Sequence, residues 1–306
     1  MCRLMKDADY FFCDGTYKLI RKPFLQLWSI HVFTGGVGNI KQVPTCFILM
    51  SRKRKSDYVA VLHKLSLILT RLFPTEGAGF VNLERIVLDF EAAAWQAVRS
   101  YLPDVELKGC NFHYTQSIYK RIKMLGLEGS YRNHAGTYRL CRSLMALAML
   151  PEFTIVVAFE ALVVNVQDDT LKKLVAYVRK VWIDSRLFPP RSWNWYNEGI
   201  RTNNDTEGWH NKLNSGSSKL PTYRLFSALG HHARLVEDQH AMFNLNQLRR
   251  NQKEKTRSNQ ARLESYWRDY KSTKDHMSLL DKVASKVTES TTWLSRAEPD
   301  ENDPAH

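Results

Sequence analysis

Three carboxylate residues lie where the ends of strands and the start of a helix could bring them together. Asp14 and Asp89 each end an apolar stretch, and Glu207 lies in the first turn of a short polar helix. Side chains at strand ends converge on ligands in α/β sheets, and carboxylate oxygens are the ligands that Mg²⁺ and Mn²⁺ prefer. Such a set could hold two ions roughly 4 Å apart, one activating a water and the other stabilising a leaving 3′ oxygen.

The stretch that carries Glu207, RTNNDTEGWHNKLN, is dense in polar side chains. Three of its residues can cap the helix: Asn203, Asn204 and Asp205. Helical spacing then sets Glu207, His210 and Asn211 on one face. His210 either contacts a carboxylate or phosphate of the site or is an ordinary helix-face histidine, whereas Trp209 is expected to pack in the core.

Both aspartates also have a structural interpretation that involves no ligand. Asp14 precedes Gly15, and an Asp-Gly pair is typical of a turn. Asp89 precedes a helical stretch and is a candidate N-cap for it. Only their occurrence together with Glu207 favours a site over these local roles.

The elements that must position these residues follow from apolar periodicity. Five stretches are of strand type: ADYFFCDGTYK, PFLQLWSIHVF, QVPTCFILM, LERIVLDF and DVELKGCNF. The period is helical in SDYVAVLHKLSLILTRLF (with Ser56 or Asp57 as N-cap), in EAAAWQAVRSYL, throughout 115–185 and again after Pro221. This order predicts an α/β fold with a mixed five-stranded sheet and an all-helical insertion.

The composition is that of a basic globular chain. The 306 residues include 44 Lys and Arg and 31 Asp and Glu. The resulting formal charge of +13 favours a polyanionic partner such as nucleic acid. Five dispersed cysteines fit a reducing compartment. No apolar run reaches the roughly 18 residues of a membrane span. The N-terminus lies almost directly before the first strand and lacks a signal-peptide pattern.

Four motifs in order give the chain a family resemblance. They are DGTYK with PFLQLWSIH, then IVLDFEAAAWQAV, then GCNFHYTQSIYK, then NNDTEGWHNKLNS. Together they resemble the catalytic domain of the Mutator-like element (MULE) transposases over roughly residues 8 to 235.

The resemblance implies a ribonuclease H-like fold with a DDE triad and two Mg²⁺ or Mn²⁺ ions as cofactors. Matched residue by residue, the triad is Asp14, Asp89 and Glu207, which serve as catalytic and metal-binding residues. A Cys-x-x-His pair of the family corresponds to Cys110 and His113. The residues expected to support the triad are Cys110, His113, Asn203, Asn204 and His210.

The implied activity is two-metal-ion DNA strand cleavage and transfer in the nucleus. DNA is the expected partner, with a homo-oligomer on the DNA and without a membrane or a small-molecule substrate. The family's zinc-binding recognition modules have no counterpart before the first motif, and no Cys follows Cys141. We therefore expect a fragment or a transposon-derived gene that lacks terminal-repeat recognition. The alternative is a domesticated, non-catalytic DNA-associated or scaffold protein that retains the fold.

The expected organisation has four parts. They are the first part of the catalytic core with strands one to five (1–114), a helical insertion (115–195), the catalytic helix with closing helices (196–250), and a basic helical extension with a polar disordered tail (251–306).

Three features have two interpretations each. A zinc at Cys110 and His113 would need His134 and Cys141, which lack finger-like spacing; otherwise Cys110 packs in the sheet and His113 reaches toward the site. SRKRKSD at 51–57 resembles a nuclear targeting run or is a solvated turn. RRNQKEKTRSNQAR on a late helix can track DNA phosphates or form a solvated face.

Overall fold

The computed structural model describes residues 1–35, 40–199, 204–214, 221–245 and 254–286. These residues belong to two compact units. The first comprises 1–108 with 203–251, and the second comprises 109–202 with 252–306. Asn203 and the expected polar tail lie outside the described residues, and so do the side chains of Asn204, Asp205 and Glu207.

Five strands form one mixed sheet in the order β3-β2-β1-β4-β5. They are Tyr10–Thr16 (β1), Gln26–Thr34 (β2), Lys41–Met50 (β3), Arg85–Leu88 (β4) and Glu106–Gly109 (β5). Strand β2 pairs antiparallel with both β1 and β3, and β1 pairs parallel with β4. β1, β3 and β4 therefore run in the same direction, and their carboxyl ends lie at one edge, called here the carboxyl edge. The α/β class and the five-stranded mixed sheet are confirmed.

Thirteen α-helices are described. They are Cys2–Asp7 (α1), Lys55–Leu72 (α2), Ala92–Tyr101 (α3), Asn111–Met124 (α4), Glu128–Asn133 (α5), Ala135–Ala146 (α6), Glu152–Val163 (α7), Asp169–Val178 (α8), Pro190–Trp193 (α9), Asn204–Asn214 (α10), Thr222–Asn244 (α11), Glu254–Thr273 (α12) and His276–Lys286 (α13). A 3₁₀ turn, Leu147–Met149, and a π-helical turn, Arg179–Ile183, follow α6 and α8. Residues 115–185 contain no strand, so the all-helical prediction for this part is confirmed.

Helices α10 and α11 cover one face of the sheet in the first unit. Both pack against β3, and α10 also contacts β1. Their apolar side chains join those of the sheet in one buried cluster: Leu19, Ile20, Leu27, Leu213, Leu225 and Leu229. Burial of this kind contributes about 25 cal/mol for each Å² of apolar surface removed from water. The apolar side of α10 thus packs as a helical layer against the sheet.

The second unit is built on aromatic side chains. The ring of Tyr114 on α4 stacks on Trp193 with centroids 4.7 Å apart. Trp267 on α12 donates its indole N–H to the carbonyl of Met149 at 3.0 Å, and α13 packs on α6. Each buried indole N–H that finds a carbonyl avoids the cost of an unsatisfied donor. The late helices α12 and α13 therefore belong to the same unit as the helical block.

Several local predictions were wrong. A six-residue helix, α1, precedes β1, so the first strand does not begin almost at Met1. Helix α2 has Arg54 as its N-cap and Asp57 three residues later, where the Asp57 carboxylate accepts the Arg54 N–H at 2.9 Å. Strand β5 ends at Gly109, and the residues after it start α4. In each case the hydrogen bonds at the element end decide the boundary.

No helix within the described residues is both long and apolar enough to cross a membrane. The predicted basic segment of the late helix is described only from Glu254 onward, where Arg257 and Arg262 are exposed on α12.

Candidate functional site

The register of two parallel strands brings Asp14 and Asp89 to the same level of the sheet. Tyr10 pairs with Arg85 and Phe12 with Val87, a constant offset of 75 (85 − 10). The two aspartates have the same separation, 89 − 14 = 75. Asp14 lies in β1 and Asp89 directly follows the end of β4, so extending the register by two residues leads to both aspartates. Neighbouring strands of a sheet lie about 4.8 Å apart.

Neither aspartate has the local structural role that its neighbours in sequence suggest. Gly15 lies within β1, which continues to Thr16, so Asp14 is a strand residue opposite Ser29 rather than part of a turn. The N-cap of α3 is Glu91, not Asp89. Both structural interpretations are therefore wrong.

Asp14 is nearly buried, with 5% of its surface exposed, and is held by two N–H donors. Its Oδ1 accepts the backbone N–H of Gly15 at 2.9 Å. Its Oδ2 lies 3.1 Å from Nδ1 of His210 on α10. Hydrogen bonds to a carboxylate favour its charged form and fix its orientation. Of the two interpretations of His210, the contact with a site carboxylate is the one observed.

His210 continues into a chain of buried polar groups. Its Nε2 lies 3.1 Å from the hydroxyl of Ser29, and the same hydroxyl lies 3.0 Å from Nε2 of His31. Ser29 and His31 are two residues apart in β2 and face the same side of the sheet. Both are completely buried.

The hydrogen-bond chain fixes the tautomers of both imidazoles when Asp14 is ionised. A carboxylate only accepts, so Nδ1 of His210 carries the proton. In neutral His210, Nε2 then accepts from the Ser29 hydroxyl, whose oxygen accepts from Nε2–H of His31. Nδ1 of His31, which is buried and has no hydrogen-bond partner among the described residues, is left as the unprotonated nitrogen.

Burial lowers the pKa of His31 well below its usual range. The neighbouring His210 lowers it further, whereas the charge of Asp14 acts in the opposite direction. His31 is thus a neutral imidazole in the folded protein at neutral pH. It holds the Ser29 hydroxyl without adding a charge beside Asp14.

The connectivity Asp14–His210–Ser29 is that of a hydrolytic triad, yet it cannot act as one. The serine of a triad must reach a carbonyl carbon of the substrate. Ser29 is 0% exposed and also hydrogen-bonded to His31. The network therefore orients Asp14 rather than supplying a nucleophile.

Asp89 belongs to a second hydrogen-bond network at the carboxyl edge. Its Oδ1 accepts the N–H of Glu91 at 3.2 Å. The carboxylate of Glu91 accepts from Nζ of Lys53 at 3.1 Å and from the hydroxyl of Tyr58 at 2.7 Å. Lys53 also donates to the hydroxyl of Tyr17 at 3.0 Å. This network joins residues that follow β1, β3 and β4.

Both aspartates affect the pKa of the Cys13 thiol. Burial raises the pKa of the Cys13 thiol, and Asp89, Cys46 and Asp14 raise it further in that order. Asp89 is remote from Cys13 in sequence, so its effect reflects the pairing of β1 with β4. Asp14 and Asp89 thus both act on the buried thiol of Cys13.

Gly15 lies close to a side chain of β2. A Cβ on Gly15 would lie 2.9 Å from Oε1 of Gln26, closer than such contacts occur. Gln26 is itself fixed, because its Nε2 donates to Tyr58 at 2.5 Å in the buried interior. The Asp-Gly pair therefore reflects strand packing rather than a turn.

Helix α10 places the residues around Glu207 on the sheet. Thr206 is fully buried and contacts Gln42 of β3 at 3.3 Å, and His210 reaches Asp14 of β1. The backbone of Glu207 lies between these two anchors, although its side chain is outside the described residues. Asn211, predicted on the same face, is exposed.

Trp209 packs in the core, as predicted. Its ring stacks on Phe47 with centroids 5.4 Å apart and meets His31 edge-on at 5.3 Å. Its indole N–H donates to Nδ1 of His232 on α11 at 3.3 Å. It joins α10 to both the sheet and α11.

Cys110 and His113 belong to the second unit. Cys110 is completely buried and is the N-cap residue of α4, directly after β5. His113 lies in the first turn of α4, with its ring edge-on to Phe112 at 5.4 Å.

Among the described side chains, no group of three or more His, Cys, Asp and Glu residues could hold a metal ion. Asp14 and Asp89 are among these described side chains, whereas that of Glu207 is not.

Sequence reasoning missed five residues of the site: Tyr17, Ser29, His31, Lys53 and Glu91. The signal for two of them was Ser-x-His within the otherwise apolar β2, since a pair of polar residues on one face of a buried strand requires partners.

No protein-family model matches this chain, and a search of curated proteins gave no significant match.

Proposed function

We propose that the first unit is the catalytic core of a MULE-like transposase that cleaves and transfers DNA strands with two Mg²⁺ or Mn²⁺ ions. The observation that supports the proposal is the parallel register of β1 and β4, which pairs Phe12 with Val87 and, extended by two residues, leads to Asp14 and to Asp89, the residue that follows β4. A mixed five-stranded sheet in the order β3-β2-β1-β4-β5 is compatible with the ribonuclease H-like fold that the resemblance implies.

The residues fit this class of cofactor by their donor chemistry. Paired carboxylates are the ligands that hard divalent ions take. Asp14 receives N–H donors from Gly15 and His210, as outer partners orient a ligating carboxylate. Glu207, on the helix that His210 anchors, would complete the set. When bound, the ions supply a water of lowered pKa and stabilise the charge on the leaving oxygen.

The chain's own residues act by orientation. His210 holds Asp14 through Nδ1–H, and Ser29 fixes the ring of His210. Asp89 is only partly buried, so a phosphodiester can approach it from solvent. The expected nuclear localisation and assembly on DNA belong to the same proposal.

The test is nicking of a supercoiled plasmid by the full chain in Mg²⁺ or Mn²⁺. Asp14→Asn, Asp89→Asn and Glu207→Gln should each reduce the rate about a hundredfold or more, because each removes a charge that holds an ion. Combining them should add little, since such residues act as a unit. Asp104→Asn, in the exposed turn after α3, is the matched control and should retain the wild-type rate.

Chelation by EDTA should abolish nicking in the wild type. Nicking by Asp14→Asn at the wild-type rate would overturn the proposal. DNA binding without nicking by any form would favour the alternative, a non-catalytic DNA-associated protein that retains the fold.

A further inference from the structure

Four consecutive basic residues stand at the carboxyl edge. They are Arg52, Lys53, Arg54 and Lys55, called here the basic turn. The turn follows the end of β3 and enters α2, so it lies at the edge that carries Asp14 and Asp89.

Lys53 ties the basic turn to the surroundings of both aspartates. On one side its Nζ contacts Glu91 at 3.1 Å, and the N–H of Glu91 contacts Asp89 at 3.2 Å. On the other side Nζ contacts the hydroxyl of Tyr17, which lies 3.6 Å from the Cβ position of Gly15, next to Asp14. Lys53 is therefore hydrogen-bonded to Glu91, which contacts Asp89, and to Tyr17, which follows the end of β1.

The rest of the turn leads directly into α2. Arg54 caps α2, and its guanidinium contacts Asp57 through Nε at 3.0 Å and Nη2 at 2.9 Å. Lys55 is already the first residue of the helix. Arg52 and Lys55 are exposed on either side of this cap. A targeting peptide that binds in extended form would require the first turn of α2 to unfold.

We infer that the basic turn binds the phosphodiester backbone of a nucleic acid beside the carboxylate pair, with Arg52 and Lys55 contacting phosphates and Lys53 positioning the turn. This inference rests on the proposed function of the same edge. A polyanion that approaches Asp14, Asp89 and Glu91 is repelled unless cations line its path. The basic turn supplies such cations at the place where the acidic groups are concentrated.

The experiment measures binding of a fluorescent DNA duplex by anisotropy, in EDTA and over a range of salt. The double variant Arg52→Gln/Lys55→Gln should lower the slope of log K against log salt by about 0.9 for each phosphate that is no longer neutralised, so by about 1 to 2 overall. The matched control is Lys64→Gln/Arg71→Gln, which removes the same charge from exposed positions farther along α2. It should keep most of the wild-type slope.

Lys53→Gln should also weaken DNA binding, because the turn is then no longer tied to Tyr17 and the carboxylate of Glu91 is left without its cation. Circular dichroism shows whether this variant retains its helices, whereas the exposed double variant tests the inference without that risk. An equal reduction of the slope in the double variant and its control would overturn the inference, as would a wild-type slope in the double variant.

The assay separates this inference from the proposed function. If nicking depends on Asp14 but the salt slope of the double variant is unchanged, the inference about the basic turn is wrong and the catalytic proposal stands. If the double variant has a reduced salt slope but Asp14→Asn nicks DNA at the wild-type rate, the catalytic proposal is wrong and the inference about the basic turn stands.

Discussion

At the residue scale, the site depends on buried polar groups that are hydrogen-bonded to one another. Asp14, His210, Ser29 and His31 form one hydrogen-bonded chain with contacts of 3.0 to 3.1 Å. Such networks orient their members strongly when complete, and they are costly when one partner is removed. The neutral state of His31 is part of this arrangement, since a charged imidazole there would lack solvation.

Stability should therefore fall on acidification through His31. Its pKa is depressed by burial in the folded state, whereas in the unfolded chain it takes up a proton below about pH 6.5. The unfolded state then binds more protons, so the contribution is present above pH 6.5 and is lost as the pH falls toward the folded pKa, by at most about 1.4 kcal/mol per pH unit.

Urea unfolding at several pH values measures this effect. His31→Gln should reduce the slope between about pH 6.5 and 5.5 and leave the slope between about pH 8 and 7 unchanged. An identical slope in both proteins below pH 6.5 would show that His31 is not the titrating group.

At the scale of elements, the distance between β1 and β2 at the carboxyl edge depends on Gly15. The side chain of Gln26 crosses the position where a Cβ would lie, and it cannot move without breaking its bond to Tyr58. Tyr58 in turn holds Glu91. Strand packing, the start of α2 and the start of α3 are thus linked through one small residue.

Gly15→Ala should destabilise the protein by about 1 to 3 kcal/mol, because overpacking displaces a fixed buried side chain. The matched control is Gly136→Ala in α6, where a Cβ would meet no heavy atom of the described structure within 4 Å. That control should be neutral or stabilising by up to about 1 kcal/mol, as alanine is the better helix former. Thermal and urea unfolding compare the two, and equal effects would contradict the close-packing argument.

At the scale of the whole molecule, the formal charge of +13 governs encounters with polyanions. Each phosphate neutralised releases counterions, so affinity falls linearly with log salt. Under the proposed function, the net charge draws DNA to the protein irrespective of sequence, whereas the placement of cations such as those of the basic turn decides where it binds.

Binding to DNA should be mostly independent of sequence and should weaken steeply with salt. With as few as two phosphates neutralised, the affinity should drop about tenfold between 50 and 200 mM salt. Anisotropy with two duplexes of unrelated sequence measures both properties. Tight binding to only one of them at physiological salt would contradict this expectation and reveal a base-reading element.

The sequence by itself predicted the five strands, the all-helical block and the charge, but not helix α1 before β1. These properties are local, because side-chain period and composition are written within a few consecutive residues. Element ends were less well predicted, as at the N-cap of α2, because competing hydrogen bonds decide them.

Only the tertiary structure decided which residues meet. The parallel pairing of β1 with β4 brings the end of β4, which Asp89 follows, beside β1, which contains Asp14, and the docking of α10 brings His210 to Ser29, 181 positions away in sequence. Strand register and helix docking are set by the packing of distant apolar surfaces, and no local pattern encodes such pairings. For that reason the sequence could suggest the aspartates as candidates, whereas it could not predict the hydrogen-bond network around Asp14 or the contact of Lys53 with Glu91.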